Sequence, residues 1–347
     1  MKRYSLVLLF IVTALASHLA TTQTRWPTLT HGEDRITSVR FLPDGKRLVS
    51  ADFYGSIVLW NLETGKPIWR ITLDGVRATD NYTITYALAM EVSPDGRIIA
   101  VSYDRGHVVK NRLQKGDDYR IGLLDTKDGR EQKVLVGSSA RALRLSFSPN
   151  GYLLASGGPD GITRLWDVST GQQVREIGSP RGISALSFSP DGKILAVGQA
   201  SPNSIQLVTA PHLLLFNVDS GELVQKLRVE GSYVNDASFS PNGALLAVVG
   251  HLPDEITLLR SGTWQLVRSL KNPEVKADRI SFSSDGRWLA SGEAGDDGGH
   301  IFVWETATNS KPRSIALGSG VEAINFSPDA NTLAVGTENG KILLVRF

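Results

Sequence analysis

Apolar residues two positions apart recur seven times along the chain, each pair shortly before a turn. In most repeats the turn reads Pro-Asp-Gly or Pro-Asn-Gly, in which proline presets φ and glycine takes a positive φ. A period of two is the spacing of a β-strand, so we predict one strand, strand a, at each pair. The seven pairs are Val39/Phe41, Met90/Val92, Leu145/Phe147, Leu186/Phe188, Ala237/Phe239, Ile280/Phe282 and Ile324/Phe326.

A second apolar run follows each turn and predicts strand b. Its apolar residues are consecutive, which indicates that both faces of the strand are buried. Ala and Gly within the run are expected where neighbouring sheets approach closely. The seven runs are Leu48-Val49-Ser50-Ala51, Ile99-Ala100-Val101-Ser102, Leu154-Ala155-Ser156-Gly157, Leu195-Ala196-Val197-Gly198, Leu246-Ala247-Val248-Val249, Leu289-Ala290-Ser291-Gly292 and Leu333-Ala334-Val335-Gly336.

Two further strands complete each repeat. Strand c ends in an aromatic or aliphatic residue that a polar one usually follows, as in Leu165-Trp166-Asp167. A turn such as Ser169-Thr170-Gly171-Gln172 leads to strand d, as in Gln173-Val174-Arg175-Glu176. Four short strands repeated at this spacing are typical of a propeller blade. We therefore predict an all-β chain whose single domain, residues 24–347, is a seven-bladed β-propeller.

The motifs resemble those of WD40 repeats over about residues 24–347. They are Trp166-Asp167, the repeated Ser-Pro-Asp-Gly turn and the Thr-Gly turn. The resemblance implies four-stranded antiparallel blades closed into a ring. The last unit, Val321 to Phe347, supplies only strands a, b and c, so the N-terminal strand Arg25–Thr30 is expected to complete it by pairing with Ile342–Phe347. Closure would remove exposed sheet edges.

The chain departs from the family pattern in two respects. Only one strand c carries Trp-Asp itself, and the Gly-His pair that often opens a WD40 repeat is missing, with His31 before Gly32 reversing it. Of the family's hydrogen-bonded Asp-His-Ser-Trp network, blade 3 holds Ser156, Asp160 and Trp166 without the histidine.

The first residues predict export. Lys2 and Arg3 precede an apolar stretch of 11 residues, Leu6 to Ala16, that ends in the small-residue site Ala14-Leu15-Ala16. This is the pattern of a secretory signal peptide, whereas a membrane-spanning helix needs about 20 residues. We predict a signal peptide over residues 1–20 and a periplasmic or secreted propeller. The alternative is an uncleaved membrane anchor that extends to Ala20.

The composition argues against nucleic acid and anionic membranes as partners. The chain has 37 Lys and Arg against 35 Asp and Glu, and loss of Lys2 and Arg3 with the leader leaves 35 against 35. A formally neutral chain lacks the clustered positive charge that nucleic acid or an anionic membrane favours. Cysteine is absent, which excludes disulfides, thiolate metal sites and a catalytic thiol.

Candidate binding residues are predicted on one rim of the propeller. The WD40 resemblance implies that the d–a and b–c loops share this rim, here called the top rim. Its longest loop, Tyr103–Tyr119 in blade 2, is predicted to be the main specificity element, because long loops on a rigid scaffold usually carry function. Arg and Tyr are enriched at binding hot spots. The predicted contacts are Arg35, Tyr103, Arg105, Lys110, Arg112, Tyr119, Arg141, Arg181 and Tyr233.

Other long connections also fall on the top rim: Asp74–Tyr82, Gln199–Pro211 and Glu293–Gly299. The histidines His251 and His300 lie in adjacent blades near acidic residues and are the candidate metal ligands. The chain has no short His-x-His or His-x-x-x-His spacing, so no metal is predicted. No nucleophile elbow or phosphate-binding glycine loop is present, and no cofactor or catalytic residue is predicted.

These observations favour an exported, non-enzymatic WD40-like platform. It would bind another protein as a monomeric propeller, with a cell-envelope or extracellular complex as the candidate partner. Contact with a membrane is expected only through an uncleaved N-terminal segment. Two alternatives stay open: an extracytoplasmic propeller enzyme, metal-dependent or lactonase-like, with its site at the top of the central channel, and an accessory domain whose partner supplies the chemistry.

Overall fold

The fold is a ring of seven antiparallel four-stranded sheets. The computed structural model describes residues 27–73, 81–109, 112–200, 212–229, 233–250, 255–271, 277–292, 298–308 and 310–347, without the side chains of residues 81–88, 105–109 and 112–118. Within these ranges the regular structure is all β. Strand a of each blade contacts strand a of the next, and the last contacts the first. The predicted seven-bladed propeller is therefore confirmed. The described ranges contain no helix long and apolar enough to cross a membrane.

Each sheet runs in the order a, b, c, d from the centre of the ring outward. The strands a are β2 (Ile36–Phe41), β6 (Asn81–Val92), β10 (Arg144–Phe147), β14 (Ile183–Phe188), β18 (Val234–Phe239), β22 (Arg279–Phe282) and β26 (Val321–Phe326). The strands b are β3 (Arg47–Asp52), β7 (Ile98–Val109), β11 (Leu153–Gly157), β15 (Ile194–Gln199), β19 (Leu245–Gly250), β23 (Trp288–Gly292) and β27 (Thr332–Thr337).

The outer strands follow the same order. The strands c are β4 (Ser56–Asn61), β8 (Arg112–Asp125), β12 (Ile162–Asp167), β16 (His212–Asn217), β20 (Glu255–Arg260), β24 (His300–Glu305) and β28 (Lys341–Arg346). The strands d are β5 (Lys66–Thr72), β9 (Glu131–Leu135), β13 (Gln173–Gly178), β17 (Leu223–Arg228), β21 (Leu266–Lys271), β25 (Arg313–Ala316) and, for blade 7, β1 (Thr28–Thr30).

The N-terminal strand closes the ring, as predicted. Strand β1 pairs antiparallel with β28, with Leu29 opposite Ile342. Leu29 is 6% exposed and packs in a cluster that also holds Ile36 of blade 1 and Leu344 of blade 7. The closing strand therefore contributes both backbone pairing and a buried side chain at the junction of the first and last blades.

The hydrophobic core lies between the blades. Among the described residues, seven clusters each join side chains of two adjacent blades. Strand b is buried along most of its length in the blades whose side chains are described, which confirms the prediction from its consecutive apolar residues. A Cβ added to Gly336 would lie 2.7 Å from the Ile36 side chain of blade 1. Glycine in strand b thus permits the close approach of the next blade.

A hydrogen-bond network explains the recurring Ser-Pro-Asp-Gly turn between strands a and b. In blade 4, Ser189 Oγ donates to Asp191 Oδ1 at 2.6 Å and accepts the Ile194 N–H at 2.9 Å. Asp191 Oδ1 also accepts the Lys193 N–H at 3.1 Å. The same arrangement recurs at Ser93/Asp95, Ser148/Asn150, Ser240/Asn242, Ser283/Asp285 and Ser327/Asp329. The serine and the Asp or Asn of the motif therefore fix the turn by hydrogen bonds.

Replacing Asp191, Asp285 and Asp329 with asparagine is expected to make the stability of the propeller less dependent on pH in acid. The hydrogen bond from the neighbouring serine lowers the pKa of each carboxyl. Such a group stabilises the fold above its unfolded-state pKa of about 3.9, and this stability is lost as pH falls through the folded-state pKa. Asparagine does not titrate but accepts the same hydrogen bonds, as blades 3 and 5 show.

Urea unfolding at pH 7 and at about pH 3.5 measures how much of the free energy of unfolding each protein loses in acid. The reverse substitutions, Asn150→Asp with Asn242→Asp, serve as the matched control and should increase the loss of stability in acid. An equal decline in wild type and both variants would contradict the role given to these carboxyls.

Candidate functional site

Blade 2 carries a three-stranded extension on the top rim. Strands alternate in direction within a blade, so the d–a and b–c connections lie at the same end of every sheet. Strand β7 has twelve residues where β3 of blade 1 has six. Strands β6 and β8 lengthen with it, and the ladders reach Asn81 opposite Val109 and Val109 opposite Arg112. Six added residues project roughly 20 Å beyond the other strands b.

This extension corrects the prediction that Tyr103–Tyr119 is a loop. The segment is a β-hairpin, and only residues 110–111 at its tip lie outside the described residues. The reason is a pairing between segments distant in sequence: residues 81–87 of β6, part of the predicted d–a link and the residues after it, pair with residues 103–109 of β7. Backbone N–H and C=O groups that a loop would leave to water are thereby paired within the sheet.

Tyr103 lies at the base of the extension and is buried, 2% exposed. Its hydroxyl donates to Glu131 Oε2 at 2.8 Å, joining β7 to the outer strand β9. Gly122 of β8 leaves room for this contact, because a Cβ there would lie 2.7 Å from the same carboxylate oxygen. Tyr103 therefore holds the extension to its blade, which corrects its assignment as a top-face contact.

The other candidates in this segment are distributed along the extension. Arg105 lies in β7 and Arg112 in β8, but the side chains of both are outside the described part of the structure. Lys110 is outside it entirely. Tyr119 is half-buried in β8 opposite Asp104. The sequence segments predicted as loops at 201–211 and 293–297 also lie outside the described residues.

The four remaining candidates lie just before a strand a, as predicted: Arg35, Arg141, Arg181 and Tyr233. The side chain of Arg35 is 48% exposed and lies 3.7 Å from Glu322 Oε1 of blade 7. Its guanidinium carbon also lies 4.2 Å from the centre of the Phe53 ring. Arg141, Arg181 and Tyr233 are half-buried. These residues occupy equivalent rim positions in different blades, and Arg35 bridges the junction that β1 closes.

Blade 1 contains a complete buried network that the sequence analysis missed. Trp60 Nε1 donates to Ser50 Oγ at 2.8 Å, and Ser50 Oγ lies 2.7 Å from His31 Nδ1. His31 Nε2 lies 3.2 Å from Asp52 Oδ2. Ser56 Oγ lies 3.1 Å from the same Nε2. A proton on Nε2 therefore faces both Asp52 and Ser56, and Ser50 then donates to Nδ1. Arg70 further donates to the His31 carbonyl at 2.7 Å, which fixes the segment that leads to Arg35.

The sequence contains one indication of this network, the spacing between a serine and a tryptophan. Ser50 and Trp60 are ten residues apart, as are Ser156 and Trp166 of blade 3, which form the same hydrogen bond at 2.8 Å. In blade 3, Ser139 donates to Asp160 at 2.7 Å from the d–a segment, the segment that carries histidine in blade 1. Asp160 also accepts a hydrogen bond from the buried Arg164, whose Nη1 donates to it at 2.7 Å. In blade 3 the acid is thus bound by a serine and an arginine, whereas in blade 1 it lies beside an imidazole.

The candidate metal ligands are not brought together within the described residues. His251 lies outside them, and His300 begins β24, where its ring stacks on Phe302 with centroids 6.0 Å apart. Among the residues the structure describes, no group of three or more His, Cys, Asp or Glu side chains could hold a metal ion.

Strands a enclose a central channel with a cavity of about 350 Å³. Its charged lining was not anticipated. Arg40 Nε of blade 1 donates to Glu91 Oε2 of blade 2 at 3.0 Å. The six charged residues of the lining are Arg40, Glu91, Arg144, Asp236, Arg279 and Glu322.

Burial shifts the pKa of two of these side chains. Burial and the nearby charge of Arg279 lower the pKa of Arg144 to about 9, although Asp236 acts in the opposite direction. Burial raises the pKa of Glu322, and the cation of Arg35 opposes that shift. The channel is therefore a place where water is partly excluded and charges interact strongly.

The seven four-stranded blades, the Ser–Trp pairs and the closing N-terminal strand define a repeat propeller of the WD type. The chain belongs to the family described as outer membrane protein assembly factor BamB, whose model matches residues 11–263. A model of the WD domain, G-beta repeat, matches residues 264–305, within blades 5 and 6.

Curated relatives share parts of this propeller. WD repeat and HMG-box DNA-binding protein 1 of Xenopus laevis is 30% identical over 150 residues, which are 38% of this chain and 13% of that protein. Protein tipD of Dictyostelium discoideum is 23% identical over 271 residues, 66% of this chain and 44% of that protein. Protein groucho of Drosophila melanogaster is 27% identical over 144 residues, 42% of this chain and 17% of that protein. The chain thus spans less than half the length of these relatives.

Proposed function

We propose that this chain is an exported, non-catalytic platform that binds another protein through its top rim. The observation that carries the proposal is the blade 2 extension, a paired three-stranded structure that rises from a ring of otherwise short strands. Regular pairing positions its side chains on a rigid support. A rigid element loses less conformational entropy on binding than a free loop of the same length.

The extension offers two features for recognition. Strand β9 pairs with β8 only from Ile121 to Leu124, so residues 112–120 of β8 have no further strand beside them among the described strands. Such an edge can accept an added strand from a partner. The hairpin sequence from 104 to 118 also carries four cationic and three acidic residues, which suit a partner with complementary charges.

Export is supported by the leader-like sequence of residues 1–20 and by the family's name, which refers to outer membrane protein assembly. We propose a periplasmic or secreted location and a partner in the cell envelope or outside the cell. The name of one relative refers to DNA binding. The formal neutrality of this chain without its leader gives no support for extending that activity here.

Affinity capture with crosslinking from the native envelope fraction tests this function. One bait is the mature chain. The second has residues 105–118 replaced by Asn-Gly, which joins the paired residues Asp104 and Tyr119, and residues 75–85 replaced by a short Gly-Ser linker. Trimming both inserts together avoids leaving β6 without its partner, and Tyr103 is retained to hold the blade. We expect a defined partner on the first bait and its loss from the second.

The captured partner is then produced separately and its affinity measured. The trimmed chain should bind at least about tenfold more weakly, a loss of about 1.4 kcal/mol or more. A variant of the opposite rim, Tyr152→Ser with Arg130→Ser, serves as the control and should bind normally, since both side chains are exposed there. Equal binding by the trimmed and the full chain would assign the interaction to another surface.

A further inference from the structure

Three arginines of different blades face the central channel. Arg40 lies on β2, Arg144 on β10 and Arg279 on β22, and all three line the cavity of about 350 Å³. Arg144 interacts with the charges of both Arg279 and Arg40. Like charges held together away from water are unfavourable unless acceptors compensate them.

The three arginines differ in the kind of hydrogen-bond acceptor that each one contacts. Arg40 is paired with the Glu91 carboxylate at 3.0 Å. Arg144 donates to the carbonyl oxygens of Leu143 at 2.8 Å and Asn235 at 3.3 Å, the latter on blade 5, so its guanidinium reaches across the channel. Arg279 donates to the Asp278 carbonyl at 3.2 Å. Neutral carbonyls are weaker partners for a guanidinium than an oxyanion is.

The nearby acids make hydrogen bonds of their own. Asp236 Oδ1 accepts the Ala237 N–H at 2.9 Å, and its Oδ2 accepts the Ile280 N–H at 3.0 Å. Glu322 lies beside Arg35 at the top of the channel. Asp236 still acts on Arg144, and Glu322 on Arg279, through their charges, but among the described contacts the hydrogen bonds of both guanidiniums go to backbone carbonyls.

We infer that the central channel binds a small oxyanion between Arg144 and Arg279. The ligand class is a compact molecule bearing carboxylate or phosphate groups. A cavity of about 350 Å³ is at the small end of ligand sites, which favours a small di- or tricarboxylate or a phosphate over a large cofactor. Serine hydroxyls of neighbouring strands a, including those of Ser146 and Ser238, add polar groups to the same lining.

Isothermal titration calorimetry with citrate in one arm and inorganic phosphate in the other, at fixed ionic strength in chloride, tests the site. Saturable binding of one or both is expected. Citrate alone would identify a carboxylate ligand, and phosphate alone a phosphate ligand. Arg144→Met and Arg279→Met should each weaken binding at least about tenfold, while Arg97→Met, an exposed arginine on an a–b turn, should leave it unchanged.

Because an arginine variant could lose binding by misfolding, a second variant keeps every arginine. Ser146→Asp places a carboxylate in the lining and should also weaken binding at least about tenfold through repulsion. The inference is overturned if neither anion binds wild type below about 10 mM. It is equally overturned if Arg97→Met weakens binding as much as the channel variants, which would indicate adsorption to the outer surface.

Discussion

A chain that starts at residue 31 is expected to unfold or to form oligomers, in contrast to one that starts at residue 24. The deletion removes β1, so blade 7 keeps three strands and β28 becomes an open edge. Ile342 and Leu344 of β28, now buried, would lose the cover that Leu29 gives them. An exposed apolar strand edge is a template for pairing with another chain.

A single substitution separates side-chain packing from backbone closure. Leu29→Ala should lower the free energy of unfolding by about 2–4 kcal/mol, the cost of removing a large buried side chain. Thr30→Ala, in the same strand but with an exposed side chain, should cost less than about 0.5 kcal/mol. Urea unfolding measures both variants, and light scattering at several protein concentrations detects oligomers of the deleted chain. A deleted chain that stays monomeric and melts like the chain that starts at residue 24 would show that closure does not depend on β1.

The repeats were predictable because their determinants are local. Strand a and its turn are specified within about ten residues: an apolar pair, then Ser, then Asp or Asn, then Gly. The Ser and the Asp or Asn form the hydrogen bonds of the turn, and the Gly takes a positive φ. The repeats therefore needed neither a partner blade nor a side chain from elsewhere in the chain. Closure by the N-terminal strand was expected from the WD40 resemblance, because the last repeat supplies only strands a, b and c.

The blade 2 extension was not predictable in the same way. Its two insertions lie in different loops of the repeat, and each by itself has the polar, glycine-containing sequence of a loop. They form a sheet because residues 81–87 meet residues 103–109, a pairing that no single segment specifies. The candidate Tyr103 failed for a related reason, since its partner Glu131 lies on β9 and turns an apparent rim residue into an internal one.

The channel charges were missed because alternation within strand a does not tell which polar side faces the centre of the ring. Arg144 follows an apolar residue and precedes another, a pattern equally typical of a strand with one face in water. Only closure of seven blades places that face in a confined channel. The function of such residues therefore depends on the ring, not on the repeat that contains them.

Replacing His31 with alanine is expected to lower the free energy of unfolding by about 3–4 kcal/mol, because it combines a cavity with the loss of buried hydrogen bonds. The His31 side chain is fully buried and that of Asp52 nearly so. Without the imidazole, Asp52 Oδ2 loses its neighbour at 3.2 Å and Ser50 loses its acceptor. Asp52 Oδ1 still accepts the N–H groups of Tyr54 and Ser56, so the expected cost comes from the cavity, from Ser50 and from the loss of the imidazole beside Oδ2.

Blade 3 provides the internal comparison for this network. Ser156→Ala removes only the acceptor of Trp166 and should cost about 1–2 kcal/mol, whereas Ser50→Ala interrupts the chain from Trp60 to His31 and should cost more. In a double-mutant cycle measured by urea unfolding, His31→Ala and Ser50→Ala should couple by about 1–2 kcal/mol. His300→Ala, a half-buried histidine that stacks on one ring, is the control and should cost less than about 1 kcal/mol. If His31→Ala costs no more than His300→Ala, the blade 1 network contributes geometry without stability. The rim segment before Arg35 would then be held by Arg70 and by the backbone hydrogen bond from His31 to Gly340.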